Sequence, residues 1–253
     1  MDSAVASNPI MITISSDMDK IIFDGKWSHG TEWKRSSLDT LSYDDGAVIQ
    51  LRTAHQDNFI YVFVDAIFDT NLDKGADRAT VCFDTNNSKT VLADVDDYCF
   101  IVTLDGKRAF VLQGGSMLGV NGGFKKIPHP HGFIGISTVS DENDRYTPVP
   151  HTSYEFRIPT ELVGRSNIYG FYLALYDAHS NKIYSWPQDV TTEKPFQIAS
   201  PSKWGELISP DKSLPEFNLP LLTLPLAFLI LAYMKRFRKH VWNPLYLMGL
   251  TKK

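Results

Sequence analysis

Six oxygen-bearing side chains share one short segment of the sequence: Asp84, Asn86, Ser88, Asp94, Asp96 and Asp97. The first three alternate along the chain, a spacing that turns their oxygen atoms toward the inside of a tight loop. Calcium is a hard cation that takes about six to eight oxygens, and clustered carboxylates repel one another unless a cation lies among them. The segment therefore predicts a structural calcium site. A solvated acidic turn is the alternative, because Asp and Asn also favour turns.

Two of the seven histidines form a cluster, His129-Pro130-His131, within a Gly- and Pro-rich stretch from Gly114 to Gly135. The two imidazoles predict either a metal-binding or pocket-lining role or an ordinary surface loop, and the sequence leaves both open. No spacing of His and Cys is typical of zinc. The sequence has no nucleophile elbow, phosphate-binding loop or dinucleotide fingerprint. We therefore expect a protein that binds a ligand and does not catalyse a reaction.

The two cysteines, Cys82 and Cys99, lie at the inner ends of two predicted strands that one loop connects. If this hairpin is symmetric, Cys82 faces Cys99 and Asp84 faces Asp97. Directly paired residues have Cα atoms roughly 4.5–5.5 Å apart, a separation that a disulfide tolerates. The register predicts a disulfide, and two buried free thiols are the alternative.

Alternating apolar residues predict strands through most of the chain, whereas helical periodicity is almost absent before the C-terminal tail. The predicted strands are Ala47–Arg52, Phe59–Ala66, Ala79–Phe83, Tyr98–Leu104, Ala109–Gln113, Ser153–Ile158, Ile168–Tyr176 and Lys182–Ser185. The second of these is apolar on both faces, so we expect it to be central. One short helix is predicted at Pro159–Val163, because Pro159 suits a first turn and Gly164 suits a helix end. This pattern predicts an all-β fold, an antiparallel, jelly-roll-like β-sandwich.

Composition narrows the function further. The formal net charge of −4 gives no reason to expect a nucleic-acid partner.

Three tryptophans, Trp33, Trp186 and Trp204, are expected in the core or at packed edges, because large aromatic residues are usually well buried.

An apolar run follows the predicted sandwich. Residues from Leu219 to Met234 carry no charge, and a basic cluster from Lys235 to Lys239 comes next. Such a run favours a membrane-spanning helix whose basic end lies at the cytoplasmic face. A buried C-terminal helix of a globular domain is the alternative. The predicted organisation is an N-terminal segment (1–19), a sandwich (20–208), a linker (209–216), a transmembrane helix (217–234) and a basic cytoplasmic tail (235–253).

The N-terminal end of the chain bears on whether the protein carries a signal peptide for export. Ala4-Val5-Ala6-Ser7 is similar to the small-residue site that ends a signal peptide, although no charged and apolar regions precede it. We expect either the remnant of a signal whose start lies upstream or an ordinary N-terminal segment.

Landmarks along the chain carry a family resemblance. In order they are Phe23-Asp24-Gly25-Lys26-Trp27, Glu32-Trp33, Asn58-Phe59-Ile60-Tyr61-Val62, Asp69, Asp77 to Asp84, Asp96-Asp97, Tyr154 to Pro159, Gly170-Phe171, Asp177, Ser185-Trp186 and Ser202 to Leu207. This series resembles the family-nine carbohydrate-binding module, a β-sandwich of the broader DOMON-like group, over roughly residues 20–208. Pro215-Glu216-Phe217, the apolar run and the basic cluster resemble the PEF-CTERM tail of archaeal surface proteins, although residues 240–253 extend beyond the usual end.

The resemblance implies a ligand class and a site. The family holds a sugar between two aromatic rings and commonly binds structural calcium. Lys74 stands at the place of one ring, and Phe196 is the residue available for the other. The candidate binding residues are Lys74, Asp77, Phe124, His129, His131 and Phe196. The expected partner is a carbohydrate or cell-surface glycan, bound by an extracellular domain on a single-pass membrane anchor with a cytoplasmic C-terminus.

Two other functions stay open. The related haem-binding domains imply an electron-transfer protein, for which Met117 and His129 or His131 are the nearby candidate ligands. A structural envelope protein without a small ligand is the other alternative.

Overall fold

The computed structural model describes residues 8–14, 20–28, 30–105, 108–117 and 123–209, and their strands form two sheets. The first sheet contains, in spatial order, β1 (Ile10–Met11), β14 (Gly205–Ile208), β12 (Ile168–Asp177), β6 (Arg78–Asp84), β7 (Asp97–Thr103), β8 (Arg108–Gln113) and β9 (Lys125–Ile127), and β13 (Lys182–Trp186) also pairs with β12. The second sheet contains β10 (Ile134–Val139), β11 (Thr152–Pro159), β5 (Phe59–Ala66), β4 (Val48–Gln56) and β2 (Thr13–Ile14), and β3 (Asp39–Ser42) also pairs with β4. The predicted β-sandwich is confirmed.

Alternation along the strands divides their side chains between two faces, because successive Cβ atoms point to opposite sides of a sheet. In β6, Val81 and Phe83 enter the main core between the sheets, whereas Cys82 belongs to a second buried cluster. In β5, Val62 enters the main core and Phe63 belongs to a third cluster. Each sheet therefore also has an outer face, and other segments of the chain cover it.

The covering segments carry the tryptophans. On the second sheet, Trp27 and Trp33 pack on Phe63, with ring centroids 6.3 Å and 5.3 Å away. On the first sheet, Trp204 stacks on Tyr172 at 6.1 Å. The predicted burial of Trp33, Trp186 and Trp204 is confirmed.

The hairpin of β6 and β7 has the predicted register. Cys82 lies opposite Cys99, and Asp84 lies opposite Asp97. The two cysteines are joined by a disulfide, with Cα atoms 4.1 Å apart. Both the register and the disulfide are confirmed.

The eight predicted strands are all present. β5 lies between β11 and β4, so its predicted central position is confirmed. The helix α1 covers Thr160–Val163, directly after Pro159, and ends at Gly164 with a positive φ of 74°. Glycine suits that position because the left-handed region costs it no steric strain.

Two short strands precede residue 20, the predicted start of the sandwich. β1 pairs in parallel with β14, and β2 pairs in parallel with β4, so Ile10–Met11 and Thr13–Ile14 belong to the two sheets. Strands of two residues are too short to show alternation, which is why the pattern did not reveal them. The strands β3, β9, β10 and β14 were missed as well; β10 has no clean alternation of buried and exposed residues.

Within the described residues, no helix is both long and apolar enough to span a membrane. The predicted transmembrane helix at 217–234, the linker after residue 209 and the basic tail lie outside the described residues, as do the first seven residues.

Candidate functional site

A surface cleft of about 340 Å³ opens on the side of the first sheet. The loop that follows β13 supplies most of its wall, the loop between β6 and β7 adds Val91, and the chain just before β9 adds Phe124. The complete lining is Val91, Phe124, Thr191, Thr192, Glu193, Gln197, Ile198, Ala199, Ser200, Pro201 and Lys203. The cleft is thus built by loops that the sheet carries.

Hydrogen bonds between the two loops fix the shape of the cleft. Ser200 Oγ donates to the Val91 carbonyl at 2.6 Å, and the Ser202 amide donates to the Thr90 carbonyl at 2.9 Å. Below them, Ile198 and Ala199 pack in the buried cluster that contains the disulfide. The disulfide and this packing tie the cleft to the strands beneath it.

The cleft combines apolar and polar surface. Phe124 and Ile198 are buried in its floor, while Val91 is strongly exposed at its edge. Around them lie hydroxyl groups, the Gln197 amide and one charge of each sign, from Glu193 and Lys203. Such a lining suits a small, uncharged ligand that has an apolar face and several hydroxyl groups.

An aromatic ring projects beside the cleft. Phe196, the neighbour of Gln197 in the chain, is 70% exposed. The Arg78 guanidinium lies 3.7 Å from the centre of this ring and 4.8 Å from that of Tyr176, and it donates to the Pro195 carbonyl. Burial lowers the Arg78 pKa to about 10. The cation–π contact holds the ring in place while leaving most of it open to solvent.

The six predicted binding residues lie at different places. Phe124 lines the cleft and Phe196 adjoins it. Lys74 is exposed between β5 and β6, and His129 and His131 are exposed between β9 and β10. None of these three lines the cleft.

Asp77 is fully buried, which removes it from any surface contact. Its two oxygens accept from the Asp73 amide at 2.6 Å and the Ala178 amide at 2.9 Å.

The residues proposed for haem ligation are solvent-facing. Met117 is fully exposed, and the exposed His129 directs its Nε2 toward the Phe133 carbonyl at 3.2 Å.

The predicted calcium segment folds into one turn between β6 and β7. Asp84 Oδ1 accepts from the Ser88 amide at 3.2 Å, Asp96 Oδ2 accepts from the Asn86 amide at 3.0 Å, and Asp97 Oδ2 accepts from the Asp94 amide at 2.8 Å. These bonds bring the six predicted residues into one turn.

Three buried oxygens in this turn, Asn87 Oδ1, Asp94 Oδ1 and Asp97 Oδ1, have no hydrogen-bond partner. Burial, with Asp84 and the other nearby carboxylates, raises the pKa of Asp97 to about 7, and burial together with Asp94 raises that of Asp96 to about 6. A cation or a proton is therefore favoured here.

A second acidic group was missed by sequence reasoning. Asp69, Asp77 and Asp177 are all buried, and each offers an oxygen within 4.8 Å of the others. Burial, with Asp77, raises the pKa of Asp69 to about 7, and burial raises that of Asp77 to about 6. The alternation of Asp69, Asn71, Asp73 and Asp77 in one connection is the signal that could have found part of this group.

Three buried oxygen atoms close to this second group lack hydrogen-bond partners: Asp69 Oδ1, Asp73 Oδ2 and the Tyr154 hydroxyl. Asp69 and Asp77 both act on the Tyr154 pKa, which places its ring near them. All the donors are oxygens, which is the ligand set that calcium prefers.

No protein-family model matches the sequence. No curated protein matches it either. Among solved structures, a carbohydrate binding module of family 9 from Caldicellulosiruptor kristjanssonii in complex with cellotriose has a TM-score of 0.46 at 15% identity, and the match covers 83% of this chain and 100% of that one. A family 9 module of the same organism in complex with glucose has a TM-score of 0.46 at 14% identity, covering 79% of this chain and 95% of that one.

Proposed function

We propose that this chain is a non-catalytic carbohydrate-binding module whose ligand occupies the cleft formed by the loop after β13. The lining of the cleft carries the proposal. A pyranose ring has an apolar C–H face and a rim of hydroxyls, and the cleft offers an apolar floor with hydroxyl and amide groups around it.

Phe196 adds an aromatic surface beside the cleft. Its ring is mostly exposed although it rests on Arg78, so a sugar face can stack on it without displacing other side chains. Two parallel aromatic rings would grip a sugar more strongly, and Lys74 stands where the family resemblance implies the second ring. Modest affinity is therefore expected.

The test is binding of the full chain, held in mild detergent, to a glycan array, followed by calorimetry with the best ligand. Replacing Gln197 or Phe196 by Ala should weaken binding by about tenfold each, the value of one lost hydrogen bond or stacking contact. Leu38→Ala changes an exposed apolar residue that does not line the cleft and should have no effect. Absence of glycan binding, or binding that neither cleft variant weakens, would contradict the proposal.

Calcium is proposed as the structural ion of this module. The group of Asp69, Asp77 and Asp177 fits it best, because its three buried carboxylates each offer an oxygen within 4.8 Å of the others and buried oxygens of Asp69 and Asp73 lack hydrogen-bond partners. The turn that holds Asp84 and Asp97 is the second candidate position. Bound calcium would neutralise the carboxylates and fix the connections that the strands carry.

We also propose that residues 217–234 cross a membrane and that the sandwich lies outside the cell. The disulfide supports this location, because disulfides persist in oxidising compartments. The PEF-CTERM-like tail is proposed as the anchor, with residues 235–253 in the cytoplasm.

A further inference from the structure

A group of three potential metal ligands lies on the second sheet, apart from the cleft. Asp65 comes from β5, His151 directly precedes β11, and Asp144 lies in the loop that joins β10 to β11. Asp65 and His151 are fully buried, and each of the three residues offers a ligand atom within 4.8 Å of the others. None of the three residues lines the cleft or belongs to the two acidic groups described above.

The hydrogen bonds of His151 determine which ring nitrogen faces the carboxylates. His151 Nδ1 lies 2.8 Å from both the Val149 carbonyl oxygen and Ser140 Oγ. The carbonyl can only accept and the hydroxyl oxygen can also accept, so a proton on Nδ1 satisfies both contacts. In the neutral ring, Nε2 then holds a lone pair. It lies 2.7 Å from Asp65 Oδ1, which is also an acceptor. Two acceptors in direct contact require a cation at this place, either a proton or a metal ion.

A single proton would leave part of the group unsatisfied. Asp65 Oδ2 is buried and has no hydrogen-bond partner. Asp144 accepts the Tyr146 and Thr147 amides through Oδ1, at 2.8 Å and 3.2 Å. Its Oδ2 is therefore available as a ligand. A neutral imidazole and two carboxylates together carry two negative charges, which a divalent ion balances.

The basic side chain that acts on Asp65 donates its hydrogen bonds elsewhere. Arg52 acts on Asp65 through its charge, but its guanidinium donates to the Tyr146 hydroxyl at 2.8 Å and to the Trp33 carbonyl at 3.1 Å. Arg52 therefore supplies no donor to the orphaned oxygen of Asp65.

We propose that Asp65, Asp144 and His151 bind a divalent transition-metal ion of the zinc class. One imidazole nitrogen and two carboxylate oxygens form a ligand set that suits such ions, with water in the remaining position. The bond from Nδ1 to a backbone carbonyl is the outer contact that commonly orients a metal-binding histidine. The preference for zinc over calcium follows from the nitrogen ligand.

The ion would fasten a loop to the sheet. The Ser140 amide donates to the His151 carbonyl at 2.9 Å, and the His151 amide donates to Ser140 Oγ at 3.0 Å, so these two residues close the base of the loop from 140 to 151. Asp144 lies inside this loop and Asp65 in the strand beneath it. A shared metal ion therefore links the loop to β5.

The experiment is calorimetric titration of zinc into the full chain after treatment with a chelator and dialysis. We expect one zinc ion to be retained when His129 and His131, the exposed pair, are both replaced by Gln. Asp144→Asn and His151→Gln should each weaken zinc binding by about 100-fold or more. Asp144 is partly exposed, so its variant should remain folded.

Cobalt gives a spectroscopic readout that does not depend on stability. Bound at this site, cobalt should show the visible absorption of a low-coordinate ion, which Asp144→Asn removes and which added zinc displaces. Absence of zinc binding by the folded chain would overturn the proposal. So would nitrogen NMR spectra that show both ring nitrogens of His151 protonated with or without zinc, because a proton alone fits the 2.7 Å distance.

Discussion

Glu155 is a buried carboxyl group in the second sheet that holds the covering segment in place. Its Oε2 accepts from the Gly25 amide at 2.8 Å, and its Oε1 accepts from Trp33 Nε1 at 3.0 Å. Burial raises its pKa from 4.5 to about 8. The folded protein therefore binds a proton here that the unfolded chain releases above its ordinary pKa.

The pH dependence follows from this difference. The contribution that the raised pKa of Glu155 makes to the free energy of unfolding is fully present below pH 4.5 and is lost as the pH rises toward 8. Glu155→Gln removes the titration, so the free energy of unfolding should depend less steeply on pH between these values, by about 1 kcal/mol per unit. At low pH the variant should be less stable by about 1–3 kcal/mol, because an amide cannot accept from both donors. Urea unfolding at several pH values measures both effects, and an unchanged slope would contradict the assignment.

Gly25 belongs to the same contact and shows why the covering segment needs a glycine. Its φ is 91°, and a Cβ atom at this position would lie 2.5 Å from the Ser137 carbonyl carbon. Both the backbone conformation and the close approach exclude a side chain.

The hairpin of β6 and β7 links the core to the cleft. Its disulfide lies on the outer face, in the cluster that also contains Phe124, Tyr172 and Trp204. The sulfur atoms thus stabilise the strands and also support the loop that forms the cleft wall.

Removal of this disulfide should lower stability without abolishing the fold. The two cysteines are 17 positions apart in the chain. A closed loop of this length contributes about 3 kcal/mol by restricting the unfolded chain. The double replacement of Cys82 and Cys99 by Ala should lower the free energy of unfolding by about that amount or somewhat more, since buried volume is lost too. Denaturant titration checks this value, and equal stability of variant and parent would contradict it.

The sandwich as a whole carries acidic groups at the connections between its strands. Asp69 follows β5, Asp77 directly precedes β6, and Asp177 ends β12, so the group joins the two sheets. An ion at this place would stabilise the assembled fold more than any single strand.

Calcium should therefore raise the melting temperature of the full chain. At a calcium concentration about 100 times the dissociation constant, the gain is about 3 kcal/mol, or roughly 5–10 °C for a domain of this size. Asp177→Asn should remove most of the increase if the buried group holds the ion, and Asp94→Asn should do so if the predicted turn holds it. Asp189→Asn, at an exposed position, is the control. A melting temperature that neither calcium nor a chelator changes would refute the calcium proposal.

The proposed anchor is tested on the intact chain. Because the run from Leu219 to Met234 carries no charge, the full chain should enter the detergent-rich phase of a detergent partition. A chain that ends at Ser213 should remain in the aqueous phase. Recovery of the full chain in the aqueous phase would contradict membrane anchoring.

Sequence patterns predicted the long strands well, because alternation over six or more residues identifies a half-buried strand. The symmetry of one hairpin also predicted the pairing of Cys82 with Cys99. The short strands β1 and β2 were not predicted, since two residues carry no periodicity.

The candidate sites were harder to predict than the fold. Phe124 and Phe196 were selected from the sequence, but the polar side of the cleft, including Gln197, was not. The group of Asp65, Asp144 and His151 was not predicted from the sequence. It contains one His and no Cys, and Asp65 lies far from the other two residues in the chain, so no short motif marks it.

The sequence alone determined the all-β class and the strand register of the disulfide hairpin, which depend on periodicity and local pairing. It also determined the burial of the tryptophans, because large aromatic residues are usually well buried. Only the tertiary structure decided which polar groups meet. Asp69, Asp77 and Asp177 converge because β5 and β12 end close to where β6 begins, and Asp65 meets His151 because β5 pairs with β11. Contacts between distant segments depend on how the sheets pack, and no local pattern in the chain records that.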